Sequence, residues 1–345
     1  MDKIRIGIVG FGKWAQKHAE CYMGEKDAEL VAVSVPSEKS RKLAVEKFGV
    51  DVYKDYREML ARNDIDAVSI VVPNYLHAKI TIDALSAGKH VFVEKPMALN
   101  VFDCQKMVNT AKKFNRKLTV GHELRFSPLM RKIKFLIDNG DLGEVTSCSI
   151  KKWRPPWRTG SRGWRLKGKT CGGLVFEEPV HYIDLLFWYL GMPKEIYGIA
   201  SKTTDIFDFE DNLFVAMRFK ENVIGSISFS MAGFGYHFSI ELTGTNGSLR
   251  GYIEGGHFLW SPKVRETHLI YKPRDGDPRE IEIKREMDEL SDLRREISHW
   301  IKCIREDKPP IFTGEMGIKV IAICEAINKS IREKRPVKLK EILNF

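Results

Sequence analysis

The chain has 345 residues, 43% of them hydrophobic and 30% charged, and a formal net charge of +10. That length exceeds one ordinary core and suits two domains of roughly 100–200 residues each, while no apolar run approaches the roughly 20 residues needed to span a bilayer, so no membrane partner is expected. Basic residues interleave with acids, as in Arg274-Asp-Gly-Asp-Pro-Arg-Glu280, which reads as solvated surface and not as a nucleic-acid footprint. Six scattered cysteines without a Cys-x-x-Cys pair suggest neither a metal site nor a disulfide framework. A strand beginning at Lys3 leaves no room for a secretion signal, and a cytoplasmic location is expected.

From residue 3 to about 122, short apolar runs alternate with amphipathic stretches. The pattern predicts a strand at 4–9, a helix to about 22, a strand at 30–35 and a helix around 41–48. A strand at 67–72, a helix at 77–87, a strand at 90–93, a helix near 101–114 and a strand at 118–121 follow. Strict alternation of strand and helix implies a doubly wound parallel sheet, and apolar strands without period-two alternation imply burial on both faces. Residues 1–122 therefore read as a dinucleotide-binding Rossmann domain.

After residue 122 the character changes. A helix beginning near Ser127 ends in Asp138-Asn-Gly-Asp-Leu-Gly143, and alternating segments including 212–219, 225–231 and 237–243 read as antiparallel strands of a second sheet. A helix at 290–306 puts Leu293, Ile297, Trp300, Ile301 and Ile304 on one face, and another spans 314–332. Residues 123–345 form the expected second domain, for substrate and for self-association. The overall class is α/β.

The first motif is Gly10-x-Gly12-x-x-Ala15, between the first strand and first helix. Gly10 permits the tight turn, Gly12 lets backbone N–H groups approach a pyrophosphate at the helix N-terminus, and Ala15 allows close helix–strand packing. Phe11, Lys13 and Trp14 belong to the same cofactor-binding turn. The acid that usually grips the adenosine ribose about 20 residues on is replaced by Ser34-Val35-Pro36-Ser37. With Ser34, Ser37, Lys39 and Arg41 there, the site suits a ribose 2′-phosphate, so the cofactor is NADP or NAD with a lean to NADP; the alternative is that these cations only decorate an exposed helix.

Val72-Pro73-Asn74-Tyr-Leu-His77 forms the next loop on the carboxyl edge of the sheet, where open parallel sheets bind ligands. Lys89-His-Val-Phe-Val-Glu94-Lys95-Pro96 ends a buried strand on an amine held between a carboxylate and a proline. Val72, Pro73, Asn74, His77, Glu94 and Lys95 are thus expected near the nicotinamide end, with Lys95 also catalytic. In the second domain, Glu177 and His181 are four residues apart and share a face if a helix has already begun, with Asp184 one turn further. Just before them, residues 152–165 are dense in Trp and Arg, including Trp153, Arg154, Trp157, Arg158, Arg162, Trp164 and Arg165. Indole faces stack on sugar rings and guanidinium groups fork onto hydroxyls or carboxylates, so Trp153, Arg154, Trp164 and Arg165 read as substrate-binding, with an oligomer contact as the alternative.

With these residues in view, the chain resembles the family of glucose–fructose oxidoreductases, inositol dehydrogenases and rhizopine-catabolism proteins (Gfo/Idh/MocA) over nearly its whole length. The Gly10 turn, Pro73-Asn74-x-x-His77, Glu94-Lys95-Pro96 and Gly-Gly…His181-x-x-Asp184 occur in the family's order. The resemblance implies a second α/β domain with a large open, mainly antiparallel sheet, whose outer face makes a homodimer or homotetramer contact. It implies that Lys95 is the essential lysine, His181 the catalytic histidine and Arg125 an arginine near the active cleft. Glu177 falls where many members carry aspartate, and Glu178-Pro179 is unusual there.

The implied reaction is hydride transfer between nicotinamide and a secondary alcohol or ketone carbon of a sugar, cyclitol or glycoside. His181 would move the hydroxyl proton and Lys95 would hydrogen-bond the same oxygen, or the reverse, while Glu177 would orient His181 or grip a neighbouring hydroxyl and Asp184 would bind substrate. Alternatives within the family are a redox-neutral NAD-dependent glycosidase and a cofactor-bound sugar sensor without turnover.

Overall fold

The computed structural model describes residues 3–156, 163–233, 235–254, 266–283 and 290–343. In chain order the first elements are β1 (Ile4–Val9), α1 (Lys13–Met23), β2 (Ala28–Ser34), α2 (Glu38–Phe48), β3 (Asp51–Tyr53), α3 (Tyr56–Leu60), β4 (Ala67–Ile70), α4 (His77–Ser86), β5 (His90–Glu94), α5 (Val101–Lys113) and β6 (Leu118–Gly121). Next come α6 (Pro128–Asp138), β7 (Val145–Trp153), α7 (Gly168–Cys171), α8 (Leu174–Glu177), α9 (Pro179–Leu190), β8 (Glu195–Ser201), β9 (Asn212–Lys220) and β10 (Val223–Ser230). The chain ends with β11 (His237–Gly244), β12 (Gly247–Glu254), β13 (Glu266–Pro273), β14 (Arg279–Glu280), α10 (Ser291–Arg305), α11 (Gly314–Glu333) and β15 (Val337–Lys338). Two compact units result, residues 1–123 with 290–321 and residues 124–289 with 322–345.

In the first unit six strands lie in the order β3-β2-β1-β4-β5-β6, with every neighbouring pair parallel. The chain builds outward from β1 to β3, then crosses back to β4, so the order reverses between β1 and β4. Beyond the carboxyl ends of two such strands lies the crevice where doubly wound sheets take ligands. Helix starts follow local chemistry. The Ser37 hydroxyl caps α2 by accepting the Ser40 N–H (3.4 Å), and the Asn100 side chain caps α5 by accepting the Asp103 N–H (2.8 Å). β3 and α3 are too short to show a period and are absent from the sequence reading.

The amphipathic stripe expected at 290–306 is real, and its destination is the first unit. Leu293, Ile297, Trp300 and Ile301 of α10 pack with Ala15, Ala19 and Tyr22 of α1 and Phe92 of β5. Each fully buried aliphatic side chain there contributes roughly 1.5–3 kcal/mol relative to exposure, which is why a segment so distant in sequence joins this core.

The second unit carries a nine-stranded sheet in the order β14-β13-β12-β11-β7-β10-β9-β8-β15. Its neighbours are antiparallel except β7 and β10, which run parallel. In β9, buried Leu213, Val215, Met217 and Phe219 alternate with the exposed Phe214 and Arg218, and α9 packs against β7 and β10. The other face of the sheet carries exposed Tyr197, Ile199 and Phe214. Among the described residues no helix is long and apolar enough to cross a membrane.

Candidate functional site

The first unit builds its constellation on the carboxyl edge of its sheet. Gly10 has φ +98°, and a Cβ there would lie 2.1 Å from the Val71 carbonyl oxygen, so no other residue fits this turn. Gly12 is different: a Cβ on it would meet nothing within 4 Å, and as N-cap of α1 it offers no side chain to the helix's first N–H groups. Open space above uncapped N–H donors is what a pyrophosphate requires, so the turn fits a dinucleotide. Phe11 is buried, edge-on to Phe48 with centroids 6.0 Å apart, leaving only its backbone to a ligand. Lys13 and Lys39 are exposed. Ser34 is buried, and its carbonyl accepts the Gly10 N–H (2.8 Å). Arg41 donates through Nη1 to the carbonyls of Val35 (2.9 Å) and Pro36 (2.7 Å), which anchors its guanidinium at the turn after β2.

Lys95, half-buried, follows directly on β5. Its N–H donates to Glu94 Oε2 (3.2 Å), and Glu94 Oε1 receives both Trp14 Nε1 (2.9 Å) and His18 Nε2 (2.9 Å). Burial pushes the Glu94 carboxyl up, but the His18 hydrogen bond and charge, the Trp14 hydrogen bond and the Lys95 charge outweigh it and hold the carboxyl below its ordinary range. Two neighbouring acids behave oppositely. Burial and then the Glu94 charge push Glu123 up to about 8. Burial, then Glu123 and Glu94, raise Glu296 well above the usual carboxylate range, and its Oε2 has no partner among the described residues. One ionised carboxylate thus stands beside two acids that hold their protons at neutral pH.

His77 is fully buried, with Nδ1 2.7 Å from the Pro96 carbonyl and Nε2 3.0 Å from the Val72 carbonyl. Its ring ties the loop after β4 to the loop after β5, so it bears on a ligand through those loops; Asn74 is buried beside it, and Val72 and Pro73 are half-buried.

In the second unit Glu177 and His181 would share a face only in one helix, and the helix is broken between them. Glu177 ends α8, Glu178 sits at φ −130°, ψ −39°, and α9 begins with Pro179, because a residue before proline is pushed out of helical geometry. The two side chains therefore do not share one helix face. His181, 7% exposed, donates its N–H to the Glu178 carbonyl (3.0 Å).

Each arginine expected to bind substrate, among the described residues, is paired with a carboxylate. Arg165 Nη1 donates to Glu177, and the Arg165 guanidinium lies 4.6 Å from the centroid of the half-buried Trp164. Arg154 Nε donates to Glu178, whose other oxygen accepts Tyr182 Oη (3.0 Å). Arg125 grips Asp184 through Nε (2.9 Å) and Nη2 (2.6 Å), with both residues at most 2% exposed. That pair braces α9 instead of presenting a surface, a correction to its expected substrate-binding role. Trp153 is a second correction. Strand alternation turns it to the open face opposite buried Ile150 and Lys152, where the Lys151 ammonium sits 3.9 Å from its ring centroid. Trp157, Arg158 and Arg162 lie outside the described residues.

His18, Glu123 and Glu296 were missed in the sequence. Glu296 left a signal, since it interrupts the apolar stripe of α10; His18 left none, its partner Glu94 being 76 positions away. Among the described residues no cluster of three or more His, Cys, Asp or Glu side chains could hold a metal.

A Rossmann unit followed by an α/β unit is also what comparison with known proteins returns. An oxidoreductase family with an NAD-binding Rossmann fold matches residues 4–122, and its C-terminal α/β domain matches 134–339. The chain belongs to the Gfo/Idh/MocA oxidoreductase family. A Gfo/Idh/MocA relative, myo-inositol 2-dehydrogenase of Thermotoga maritima, is 29% identical over 99% of this chain and 100% of its own. A 2,7-anhydro-N-acetylneuraminate hydratase of Mediterraneibacter gnavus is 28% identical over 99% of this chain and 98% of its own. Among solved structures, the WlbA dehydrogenase of Bordetella pertussis in complex with NADH and UDP-GlcNAcA is 26% identical, with TM-score 0.83 over 97% of this chain and 98% of that one.

Proposed function

We propose that the protein is an NAD(P)-dependent dehydrogenase or reductase acting on a secondary alcohol or ketone carbon of a sugar, cyclitol or glycoside. The carrying observation is the buried Trp14–Glu94–His18 network, which sets the backbone of Lys95 directly beside the dinucleotide turn. A bound nicotinamide supplies the hydride acceptor or donor. The chain's own part is to hold the cofactor and handle the proton. Gly10, Gly12 and the first turn of α1 take the pyrophosphate. Lys95 donates to the substrate oxygen and favours the alkoxide, and His181 exchanges the hydroxyl proton. Two features support a lean to NADP: residues 34–37, at the end of β2, carry no carboxylate, and Arg41 is anchored there. The apolar outer face bearing Tyr197, Ile199 and Phe214 supports a homo-oligomer through the second sheet.

The relative named as a hydratase favours a second reading, redox-neutral turnover with tightly held cofactor. One experiment separates the two. Purified protein is titrated with NAD, NADH, NADP and NADPH, then, with the oxidised cofactors, followed at the reduced-nicotinamide absorbance band with sugars and cyclitols. The expected result is substrate-dependent absorbance change, a loss of about 10²–10⁴-fold in kcat for Lys95→Ala and for His181→Ala, and weaker NADPH binding for Arg41→Ala. Product without net absorbance change sinks the dehydrogenase in favour of the redox-neutral route; turnover within threefold of wild type in both catalytic variants sinks the residue assignment.

A further inference from the structure

Among the described residues the second unit pairs three arginines with carboxylates: Arg125 with Asp184, Arg154 with Glu178 and Arg165 with Glu177. Arg125 and Arg154 are 2% and 4% exposed, and Glu177 is 1% exposed. Charges this far from water persist only with a counter-ion. The remaining buried cation of the strand, Lys152, has its ammonium 5.3 Å from the Tyr236 ring centroid. The Trp- and Arg-rich segment, which by sequence invites an acidic sugar, is therefore electrically closed at its described arginines. A ligand carboxylate brought to Arg154 or Arg165 would lie beside Glu178 or Glu177 and meet a like charge.

We infer that Glu177 and Glu178 are specificity-determining residues that occupy these arginines, so that the unit selects an uncharged polyhydroxylated ring and rejects its carboxylate-bearing counterpart. This rests on the carbohydrate reading proposed above and narrows it. Guanidinium N–H groups already paired with carboxylates still donate to hydroxyls, which bring no competing charge. Glu178 carries the selection most directly, because its two oxygens divide between Arg154 and the Tyr182 hydroxyl (3.0 Å). Glutamine there keeps an acceptor for Tyr182 and removes the charge.

The test is calorimetric titration of the full-length protein, loaded with NADH or NADPH so that no alcohol is oxidised, with matched rings: methyl glucoside against methyl glucuronide, and methyl galactoside against methyl galacturonide. The neutral member of at least one pair is expected to bind tenfold or more tightly than its acid, and Glu178→Gln is expected to narrow that gap at least fivefold. An acid that binds as tightly as its neutral partner overturns the inference while leaving the oxidoreductase reading intact, as does a gap unchanged in a folded Glu178→Gln. If that variant does not fold, the wild-type gap decides. Failure of every ring to bind, neutral or acidic, overturns the carbohydrate reading itself.

Discussion

The two units solve the burial of a carboxylate in different ways. In the first, Glu94 is held by an indole N–H, an imidazole and a backbone N–H; in the second, Glu177, Glu178 and Asp184 each face a guanidinium. The first arrangement leaves a negative charge beside Lys95 and uses it to set a backbone. The second cancels charge and sets the position of a helix. Donors therefore decide what a buried acid does, and Glu296, equally buried but with an unpartnered oxygen, shows the outcome when they are lacking: the proton stays on.

The largest effect expected from disturbing this contrast is in the second unit. Asp184→Asn leaves the Arg125 guanidinium, 2% exposed, without its counter-charge and should cost about 3–5 kcal/mol in urea unfolding. The double variant Arg125→Met, Asp184→Leu should recover most of that, since an apolar pair of similar volume carries no desolvation cost; if it is no more stable than Asp184→Asn, the pair does more than cancel charge. In the first unit the expected loss is smaller. His18→Ala removes one donor from Glu94 and should cost about 1–3 kcal/mol. Because His18 positions Lys95 through Glu94, kcat should fall further than KM for the nicotinamide rises, and His18→Gln, which keeps a donor, should restore it. Equal changes in the two constants would reduce His18 to a packing residue.

The subtlest effect is on pH. Glu123 has an ordinary pKa near 4.5 and a folded one near 8, so over that window the folded protein keeps a proton the unfolded chain has released. Stability contributed there is full below the lower value and lost as pH rises through the upper one. Glu94 has the opposite sign: its contribution is present above its ordinary pKa and is lost as pH falls through the depressed folded value. With Glu296 titrating in the same sense as Glu123, Glu123→Gln should make the decline in unfolding free energy between pH 5 and 8 shallower without abolishing it. An unaltered slope would mean that Glu123 does not hold its proton in the folded state.

What could be read in advance follows contact range. Gly10, Gly12 and Lys95 are legible because a turn, a helix start and a strand end are local features. Whether Glu177 and His181 share a face depends on where the helix begins, and Pro179 sets that start after Glu178. Trp153 was misplaced because alternation along a strand had to be counted from a strand whose start at Val145 was not recognised. The pairing of Arg154 with Glu178 spans 24 positions and that of Arg125 with Asp184 spans 59, so composition exposed an excess of arginine without its neutralisation.

Alternating apolar runs, glycine placement and turn chemistry were enough for the sequence to determine a doubly wound parallel sheet, its dinucleotide turn and antiparallel strands of a second sheet, because each depends on residues within one turn or one strand. The tertiary structure alone decided that α10 completes the core of the first unit, that Glu94 is ionised while Glu123 and Glu296 are not, and that Arg125, Arg154 and Arg165 are each paired with a carboxylate. Burial and partner identity set the charge of an ionisable group, and both come from segments that meet only when the chain has folded.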